Sequence, residues 1–514
     1  MNYLVILTVL SSWTTFRADS ARTGFTAGMS NFFASAPAVL SGWIVYNDAN
    51  GIYSAPVLYD QDGDGKQDIY IGSYGNYMGY PALSLYRAPN ASLVWSTPDA
   101  GDVYFSVPAL MMINYDPYPE AFVGFTGSGG LRCYNGSDGS RIWWAPVGEI
   151  TYSSPLCFCD PFGNLRAAVV NDLGVLYYID ATTGAVLWTY SGSGSSYSSP
   201  ALGDPDADGD PEIVFTTSSH IYVMELSGAL EWELAYGTIL TTPSLADMDA
   251  AAGDEIVLYD AGAGNLVVFK SGTPTPVWTY FVGATGVSEL PQSPAVGDVN
   301  ADGTPDVVIH CGNLVSCVEA GALLWSRSTS SPYHRLYGSP LLADLDGRSV
   351  EDNGALEVVL TGEDMSTGIG IVYYLQDDGS VAWTWSNITY THYPIYNDAA
   401  LGDADGDGLL EIVLVDQCCW AVILKGTDPL ATTEAGSGIV GTEVFPTARG
   451  LVFELVGAGP VSANFYDPAG RLAWRFRGDL PAGRSRIEPE ATGILFYSAT
   501  VGQEKFRGKL VLAR

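Results

Sequence analysis

Two runs of alternating apolar residues flank a short acidic loop in the stretch from Tyr53 to Ile71. Alternation of apolar and polar positions over a few residues is typical of strands with one buried face. Gly63 and Gly65 stand in the loop, where glycine permits the backbone conformations of a tight connection. This stretch therefore predicts a β-hairpin with a carboxylate-rich turn.

The same pattern returns along most of the chain as a unit of about 45–60 residues. Each unit has a first strand marked by Ser-Pro or a variant, an acidic loop, a second strand rich in Ile and Val, a third strand, and a fourth strand that carries tryptophan. The marker positions are Pro56, Pro108, Pro155, Pro200, Pro243, Pro294, Pro340 and Ala399, and the tryptophans are Trp95, Trp143, Trp188, Trp232, Trp278, Trp325 and Trp383.

Such units predict an all-β fold, because a four-stranded sheet cannot bury both of its faces alone and packs radially with its neighbours. We expect an eight-bladed β-propeller over residues 13–426. The eighth unit ends at Gly426 without a tryptophan strand, whereas a spare strand around Trp43 precedes the first unit. The strand near 41–47 should therefore complete blade eight and close the ring, which removes an exposed edge.

Tyrosines recur just before the marker prolines, and we expect them to pack around the central channel of the propeller. Four of them stand three residues before the marker and one stands four residues before it: Tyr53, Tyr152, Tyr197, Tyr337 and Tyr104. The tryptophans of the fourth strands are expected to fill the space between blades.

Four of the acidic loops share one spacing of oxygen-bearing residues, at positions 1, 3, 5 and 9, with a backbone carbonyl on offer at position 7. Several carboxylates around a glycine turn suit Ca²⁺, which binds oxygen ligands at about 2.3–2.6 Å. The four predicted Ca²⁺ sites comprise Asp60, Asp62, Asp64, Lys66 and Asp68; Asp204, Asp206, Asp208, Asp210 and Glu212; Asp298, Asn300, Asp302, Thr304 and Asp306; and Asp403, Asp405, Asp407, Leu409 and Glu411. The alternative is that Asp and Gly only favour the turn through local hydrogen bonds. The loops of units two, three, five and seven have lost some or most of these ligands.

Charge divides the chain into two parts. The net charge is −35, with 12 basic and 50 acidic residues before position 440 but 10 basic and 7 acidic residues from there on. An acidic surface of this kind argues against binding nucleic acid or an anionic membrane. We predict a linker over residues 427–438. Residues 439–514 should form a small Ig-like β-sandwich, because alternating strands are separated there by Asp-Pro-Ala-Gly and Pro-Ala-Gly turns.

The N-terminus and the cysteines indicate export. The apolar run Tyr3–Leu10 is too short to span a bilayer and reads as the core of a signal peptide over residues 1–12, and no other segment has transmembrane length. Export permits disulfides, although the seven cysteines leave at least one without an intramolecular partner. Cys311 and Cys317 flank a predicted hairpin, so a bridge between them is our prediction.

The Ser-Pro marker, acidic loop and Ile-Val strand together resemble the FG-GAP/VCBS repeats of integrin-α-like propellers, over residues 41–426. That resemblance implies Ca²⁺ in the four intact loops, where it would hold the hairpins rigid. Leu176–Trp188 and the opening Trp13–Gly24 look like quinoprotein propeller repeats. The tail, with its closing Gly508–Arg514, resembles the C-terminal sorting domain of type IX secretion cargo. The tail resemblance implies outer-membrane secretion machinery as a partner, with surface attachment or release.

Aromatic and polar residues on loops of blades seven, eight and one form a second candidate site. If the ring closes, these blades are neighbours, and aromatic rings with a few polar groups suit sugar or peptide recognition. The candidates are Tyr74, Tyr77, Tyr80, Tyr333, His334, Arg335, Tyr390, His392 and Tyr393. The alternative is that these tyrosines only cover neighbouring loops.

From these observations we expect a secreted or cell-surface, non-catalytic and monomeric propeller that binds a glycan or an extracellular protein. One alternative is a lyase of the rhamnogalacturonan-lyase type, which needs a base and a cation near the uronate; His334, Arg335 and His392 are the grouped candidates for them. A further alternative is a quinone-dependent dehydrogenase, which needs a cofactor seat in the channel.

Overall fold

The computed structural model describes most of the repeat region and the strands of the tail. The described residues are 17, 19–30, 32, 36–45, 51–74, 81–97, 102–114, 116–127, 129–249, 251–283, 292–346, 355–418 and 420–427, followed by the strands between 443 and 512. Strands are the only long elements in these residues, and none of the described residues belongs to an α-helix. No helix that could cross a membrane was found among them.

The strands are numbered in chain order. Two precede the first blade: β1 (Phe25–Met29) and β2 (Ala38–Ile44). Blades one to four, with four strands each, contain β3 (Val57–Tyr59), β4 (Asp68–Gly72), β5 (Leu83–Arg87), β6 (Ser92–Ser96); β7 (Ala109–Met111), β8 (Glu120–Gly124), β9 (Leu131–Tyr134), β10 (Arg141–Ala145); β11 (Leu156–Cys159), β12 (Leu165–Val170), β13 (Val175–Asp180), β14 (Val186–Ser191); and β15 (Ala201–Gly203), β16 (Glu212–Thr216), β17 (His220–Glu225), β18 (Leu230–Ala235).

Blades five to eight follow in the same way. Their strands are β19 (Ser244–Ala246), β20 (Glu255–Asp260), β21 (Asn265–Phe269), β22 (Trp278–Phe281); β23 (Ala295–Gly297), β24 (Asp306–Cys311), β25 (Leu314–Glu319), β26 (Ala322–Ser328); β27 (His334–Leu336), β28 (Leu341–Asp344), β29 (Glu357–Asp364), β30 (Ile369–Leu375), β31 (Val381–Trp385); and β32 (Ala400–Gly402), β33 (Glu411–Val415), β34 (Trp420–Lys425).

These strands form eight sheets, and the four main strands of each sheet except the strands donated by the N-terminal end follow one another antiparallel, which confirms the predicted eight-bladed propeller. In blade eight the order is β2-β34-β33-β32, so the outer strand comes from the N-terminal end of the chain. Trp43 of β2 lies opposite Ala421 of β34. Blade seven is larger than the others, because β1 pairs in parallel with β28 and β27 pairs with β29.

Burial follows the position of each strand in its blade. Every residue of the second strands β16 and β33 is buried, as expected for strands covered on both faces. The outer strand β14 instead alternates between exposed and half-buried residues. The long Ile- and Val-rich runs of the sequence are therefore the inner strands, and the alternating tryptophan strands form the rim.

Tryptophans join consecutive blades. The indole N–H of a fourth strand donates a hydrogen bond to a carbonyl of the next blade in four pairs: Trp95 to Gly136 (2.7 Å), Trp143 to Ala181 (2.9 Å), Trp188 to Leu226 (3.0 Å) and Trp325 to Asp377 (2.7 Å). Each ring also covers a glycine of that blade with positive φ; at Gly139, a β-carbon would lie 2.5 Å from the indole of Trp95. The expectation that these tryptophans fill the space between blades is met by these contacts.

The tail residues belong to a separate compact unit that includes 432–514. Its strands form one sheet in the order β35-β36-β39 and a second in the order β38-β37-β40-β41. They are β35 (Glu443–Thr447), β36 (Gly450–Leu455), β37 (Gly459–Tyr466), β38 (Leu472–Leu480), β39 (Gly483–Ile487), β40 (Gly493–Val501) and β41 (Glu504–Leu512). The Ig-like sandwich remains a prediction for this unit.

The predicted bridge between Cys311 and Cys317 is wrong, because neither residue forms a disulfide. The hairpin turns over only two residues, so Cys311 lies opposite Leu314 while Cys317 lies opposite Val308. The two thiols therefore occupy different rungs of the ladder. Cys419, the seventh cysteine, lies outside the described residues.

His310 of β24 ties blade six to blade seven. Its ring is fully buried, and Nε2 is 2.8 Å from the carbonyl oxygen of Gly338, to which it donates. Burial lowers the pKa of His310 to about 4 from an ordinary value of 6.5. The unfolded chain therefore takes up this proton first as the pH falls.

We predict that His310 makes the propeller less stable as the pH falls from about 6.5 towards 4, by up to about 3 kcal/mol. The His310→Gln variant should lose less stability than the wild type between pH 7 and pH 5, as measured by urea unfolding. The half-buried His220 provides the control, and equal pH dependence in the His220→Gln and His310→Gln variants would contradict the prediction.

Candidate functional site

The N-terminal segment crosses the hub of the propeller along the first strands of blades four to seven. Backbone amides of these strands donate to its carbonyls in four hydrogen bonds: Leu202 to Ser20 (2.9 Å), Leu245 to Ala21 (2.9 Å), Val296 to Thr23 (2.8 Å) and Leu342 to Gly24 (3.0 Å). The segment then continues into β1 on blade seven. One short segment of chain, residues 20–24, thus binds to four blades at the axis.

Two fully buried arginines fix this segment. Arg22 donates from Nε to the carbonyl of Pro200 (3.1 Å) and from Nη2 to that of Pro155 (3.0 Å), and Arg17 donates to the carbonyl of Pro294 (2.5 Å). Burial lowers the pKa of each arginine to about 10. The marker prolines thus supply the acceptors, a role that the sequence analysis did not foresee.

An arc of aromatic rings surrounds the channel. It comprises Tyr53, Phe105, Tyr152, Tyr197, Tyr337 and Tyr396, which line one cavity. The rings touch in sequence around the axis, with centroids 5.5 Å apart for Phe105 and Tyr152 and 4.9 Å apart for Tyr152 and Tyr197. The predicted packing of these tyrosines around the channel is therefore found. Tyr104 packs on Tyr53, with the ring centroids 4.5 Å apart.

Phe105 and Tyr396 belong to this arc but were missed by the sequence analysis. Both stand three residues before a marker position, namely Pro108 and Ala399. A search for any aromatic residue at that offset, rather than for tyrosine before proline, would have found them.

The cavity has a volume of about 60 Å³ and a polar floor. Asn397 and Asp398 line it, and both are nine-tenths buried. Asp398 accepts a hydrogen bond from the backbone N–H of Ser339 (2.7 Å) through Oδ1, whereas its Oδ2 and the Oδ1 of Asn397 have no hydrogen-bond partner among the described residues. Burial raises the pKa of Asp398, and the nearby Arg17 guanidinium partly offsets this.

The acidic loops lie elsewhere in the blades and have their own geometry. Asp60, Asp204, Asp298 and Asp403 each accept backbone N–H groups of their own loop, for example that of Gly65 at 3.0 Å from Asp60 and that of Gly408 at 2.8 Å from Asp403. Such hydrogen bonds are expected if Asp and Gly only favour the turn and no ion is bound. Carboxylate oxygens nevertheless converge to within 4.8 Å of one another in blade one (Asp60, Asp62, Asp64) and blade four (Asp204, Asp206, Glu212).

Two loops that the sequence analysis described as degraded also bring three carboxylates together. They are Asp247, Asp249 and Glu255 of blade five, and Asp344, Asp346 and Glu357 of blade seven. The Ca²⁺ sites at the four intact loops, including backbone ligation by Lys66, Asp210, Thr304 and Leu409, remain predictions.

A basic side chain enters the carboxylate cluster in three blades. Lys425 of blade eight lies 2.5 Å from Asp407 and 3.6 Å from Glu411, and it also contacts Asp405. Lys270 of blade five lies 2.9 Å from Asp249 and 3.1 Å from Glu255. In blade one, Arg87 lies 3.1 Å from Asp62 and also pairs with Asp68. Each base ends or directly follows the third strand of its blade.

The residues of the second candidate site have separate neighbours. His334 Nδ1 is hydrogen-bonded to the Tyr373 hydroxyl (2.5 Å), and Tyr390 and His392 both pack on Trp420. Tyr74 instead contacts Tyr53 and Tyr104 at the channel. Tyr333 and Tyr393 are exposed, Arg335 pairs with Glu363 in the ladder, and Tyr77 and Tyr80 lie outside the described residues. One shared ligand site for all nine remains a prediction.

The fold and the channel define the class: this is an eight-bladed propeller with an aromatic hub. Residues 127–384, half of the chain, match the model of the PQQ_2 family, described as outer membrane protein assembly factor BamB. The chain belongs to this family. No curated protein matches the chain significantly.

Solved structures of similar fold include both enzymes and an assembly factor. Quinohemoprotein alcohol dehydrogenase from Comamonas testosteroni is 12% identical, with a TM-score of 0.57 and coverage of 85% of this chain and 83% of that one. A europium-containing methanol dehydrogenase is 11% identical, with a TM-score of 0.56 and coverage of 79% and 90%. BamB from Moraxella catarrhalis is 13% identical, with a TM-score of 0.50 and coverage of 76% and 100%. At these identities the likeness shows the fold alone.

The family match corrects three expectations. The assignment to FG-GAP/VCBS repeats is wrong, because the matched family is PQQ_2; its span includes Leu176–Trp188, where the sequence looks like quinoprotein repeats. The type IX sorting domain is not supported by any of these comparisons. The expected function, adhesion or binding of a glycan or an extracellular protein at the cell surface, is contradicted by the match to this family and is withdrawn.

The described lining of the channel does not fit pyrroloquinoline quinone, the cofactor from which the PQQ_2 family takes its name. Pyrroloquinoline quinone is a flat tricyclic molecule with three carboxylates, so its seat needs basic groups and a wide slot. None of the described side chains that line the cavity is basic, Asp398 is acidic, and the volume of about 60 Å³ suits only a few non-hydrogen atoms. Arg17, whose guanidinium lies near Asp398, already binds the carbonyl of Pro294.

We predict that the Arg22→Met variant lowers the free energy of unfolding by about 3 kcal/mol, because the buried carbonyls of Pro155 and Pro200 lose their donor. Urea unfolding at pH 7 measures this loss. The Arg327→Met variant removes an exposed arginine from β26 and serves as the control. Equal stability of the two variants would show that the hub segment does not hold the ring together.

Proposed function

We propose that this protein is a non-catalytic propeller of the assembly-factor type, which holds a partner protein at the aromatic mouth of its channel. The supporting observation is the cavity itself, with aromatic walls, two unpartnered acceptors on its floor and no basic side chain among the described lining. Such a cavity suits the tip of a lysine side chain, since an ammonium group interacts favourably with aromatic faces and with a carboxylate.

The electrostatics of the chain favour a basic partner. The net charge of −35 attracts cationic segments over long range, whereas a polyanionic ligand is repelled. Tyrosine rings that already pack against one another lose little conformational freedom on binding, which suits them as interface anchors. A protein segment that inserts one lysine side chain therefore matches both the shape and the charge of the aromatic cavity.

The family description supports the setting of this function. The name of the family refers to assembly of outer-membrane proteins, and we infer that this chain works outside the inner membrane on that type of task. Its partner would be a protein of the outer-membrane assembly or secretion machinery. The propeller would bind this partner as a single copy of the chain. Oxidation of a substrate through a bound quinone is not part of the proposal, because the described lining of the cavity has no basic group for the carboxylates of that cofactor.

The proposal predicts that Nα-acetyl-lysine amide binds more tightly than Nα-acetyl-norleucine amide, by about 10-fold or more, because only the former has an ammonium group. Quenching of tyrosine fluorescence measures both affinities on the full chain. The Asp398→Asn variant keeps the acceptor for Ser339 but loses the charge, so it should remove most of the preference for lysine.

A second titration separates the proposal from its enzymatic competitor. Pyrroloquinoline quinone added with Ca²⁺ should leave the absorption spectrum equal to the sum of the components. Saturable binding of the quinone, together with reduction of a dye in the presence of an alcohol, would overturn the non-catalytic function. Equal affinity for the lysine and norleucine probes would overturn the docking site.

A further inference from the structure

The acidic cluster of blade four is larger than its loop. Glu212 opens the second strand β16 and lies directly opposite Glu225, the last residue of the third strand β17. Oxygens of Glu212, Glu225 and Glu231 lie within 4.8 Å of one another, and so do oxygens of Asp204, Asp206 and Glu212. Glu212 therefore joins a loop group and a strand group into one cluster of five carboxylates.

Several of these oxygens are buried without a partner. Glu212 is fully buried, and neither Oε1 nor Oε2 has a hydrogen-bond partner. The same holds for Oδ1 of Asp204 and for Oε2 of Glu231, whose Oε1 accepts from the Ser271 hydroxyl (2.7 Å). Within the described part of the chain, no lysine or arginine forms an ion pair with this cluster. Burying so many unpaired acceptors is costly unless a cation compensates them.

In three other blades, a basic side chain compensates the negative charge of the carboxylates. The end of the third strand carries Arg87 in blade one, Lys270 in blade five and Lys425 in blade eight, and each base reaches into its own carboxylate cluster. In blade four the same position is occupied by Glu225. The residue that neutralises the cluster elsewhere thus adds a further negative charge here.

We propose that blade four holds a divalent metal cation of the calcium type between Asp204, Asp206, Glu212, Glu225 and Glu231, and that Arg87, Lys270 and Lys425 replace such a cation in blades one, five and eight. Carboxylate oxygens are the ligands that Ca²⁺ prefers, and four unpartnered oxygens belong to carboxylates of this cluster. Of the four loops predicted from sequence, those of blades one and eight are thereby assigned to internal cations. The inference does not depend on the proposed docking function.

The test transplants the arrangement of blade eight into blade four. Isothermal titration of the full, chelator-treated chain with CaCl₂ should show that the Glu225→Lys variant binds one equivalent fewer than the wild type. Its melting temperature in chelator should exceed that of the wild type, because the new ammonium group occupies the cluster. The Glu149→Lys variant makes the same change of charge at an exposed site in blade two and should titrate like the wild type.

A milder variant guards against misfolding. Glu225→Gln keeps the size of the side chain and should weaken calcium binding at this site by about 10-fold or more, since one charged ligand is lost. Unchanged stoichiometry and affinity in both Glu225 variants would overturn the proposal. So would a wild-type chain that binds no Ca²⁺ and shows no calcium-dependent shift in melting temperature, since Glu212 would then be buried in its protonated form.

Discussion

The contact on which the ring depends is the tryptophan of one blade packed on a glycine of the next. A single four-stranded sheet leaves apolar surface on both faces, and this contact covers it while the indole N–H finds a carbonyl. At the seam the arrangement changes, because the outer strand of blade eight comes from the N-terminus. There Trp383 donates to the carbonyl of Phe32 (3.1 Å) and stacks on Tyr374 within its own blade. The N-terminal segment thus replaces the turn that blade eight lacks.

The same segment determines what the channel can accept. To reach β2 on the rim, the chain first runs through the hub, where Arg17 and Arg22 bind the carbonyls of the marker prolines. The space that remains is a small, aromatic and acidic cavity. Solved structures of this fold include enzymes and an assembly factor, so the fold by itself does not determine the function.

The sequence predicts the propeller well, because Pro, Trp and Asp recur at similar intervals and each repeat unit corresponds to one four-stranded blade. It predicts the family poorly. The acidic loop is a short motif that serves any tight hairpin, whereas the family model extends over residues 127–384 and includes the third and fourth strands. Contacts between distant segments were also beyond reach: nothing local to Arg22 indicates the carbonyl of Pro155, and nothing local to Glu411 indicates Lys425.

The pairing of the second and third strands explains why acidic loops of similar sequence differ in how their charge is compensated. The last carboxylate of a loop opens the second strand and faces the end of the third, so one cross-strand residue decides whether the cluster is neutralised from within. A lysine at that position pairs with the carboxylates of the loop and of the second strand, as in blade eight. An acid there, as in blades four and six with Glu225 and Glu319, leaves the buried charge to be compensated by protonation or by a bound cation. Sequence motifs that stop at the loop cannot distinguish these cases, because the deciding residue lies about 14 positions further along the chain.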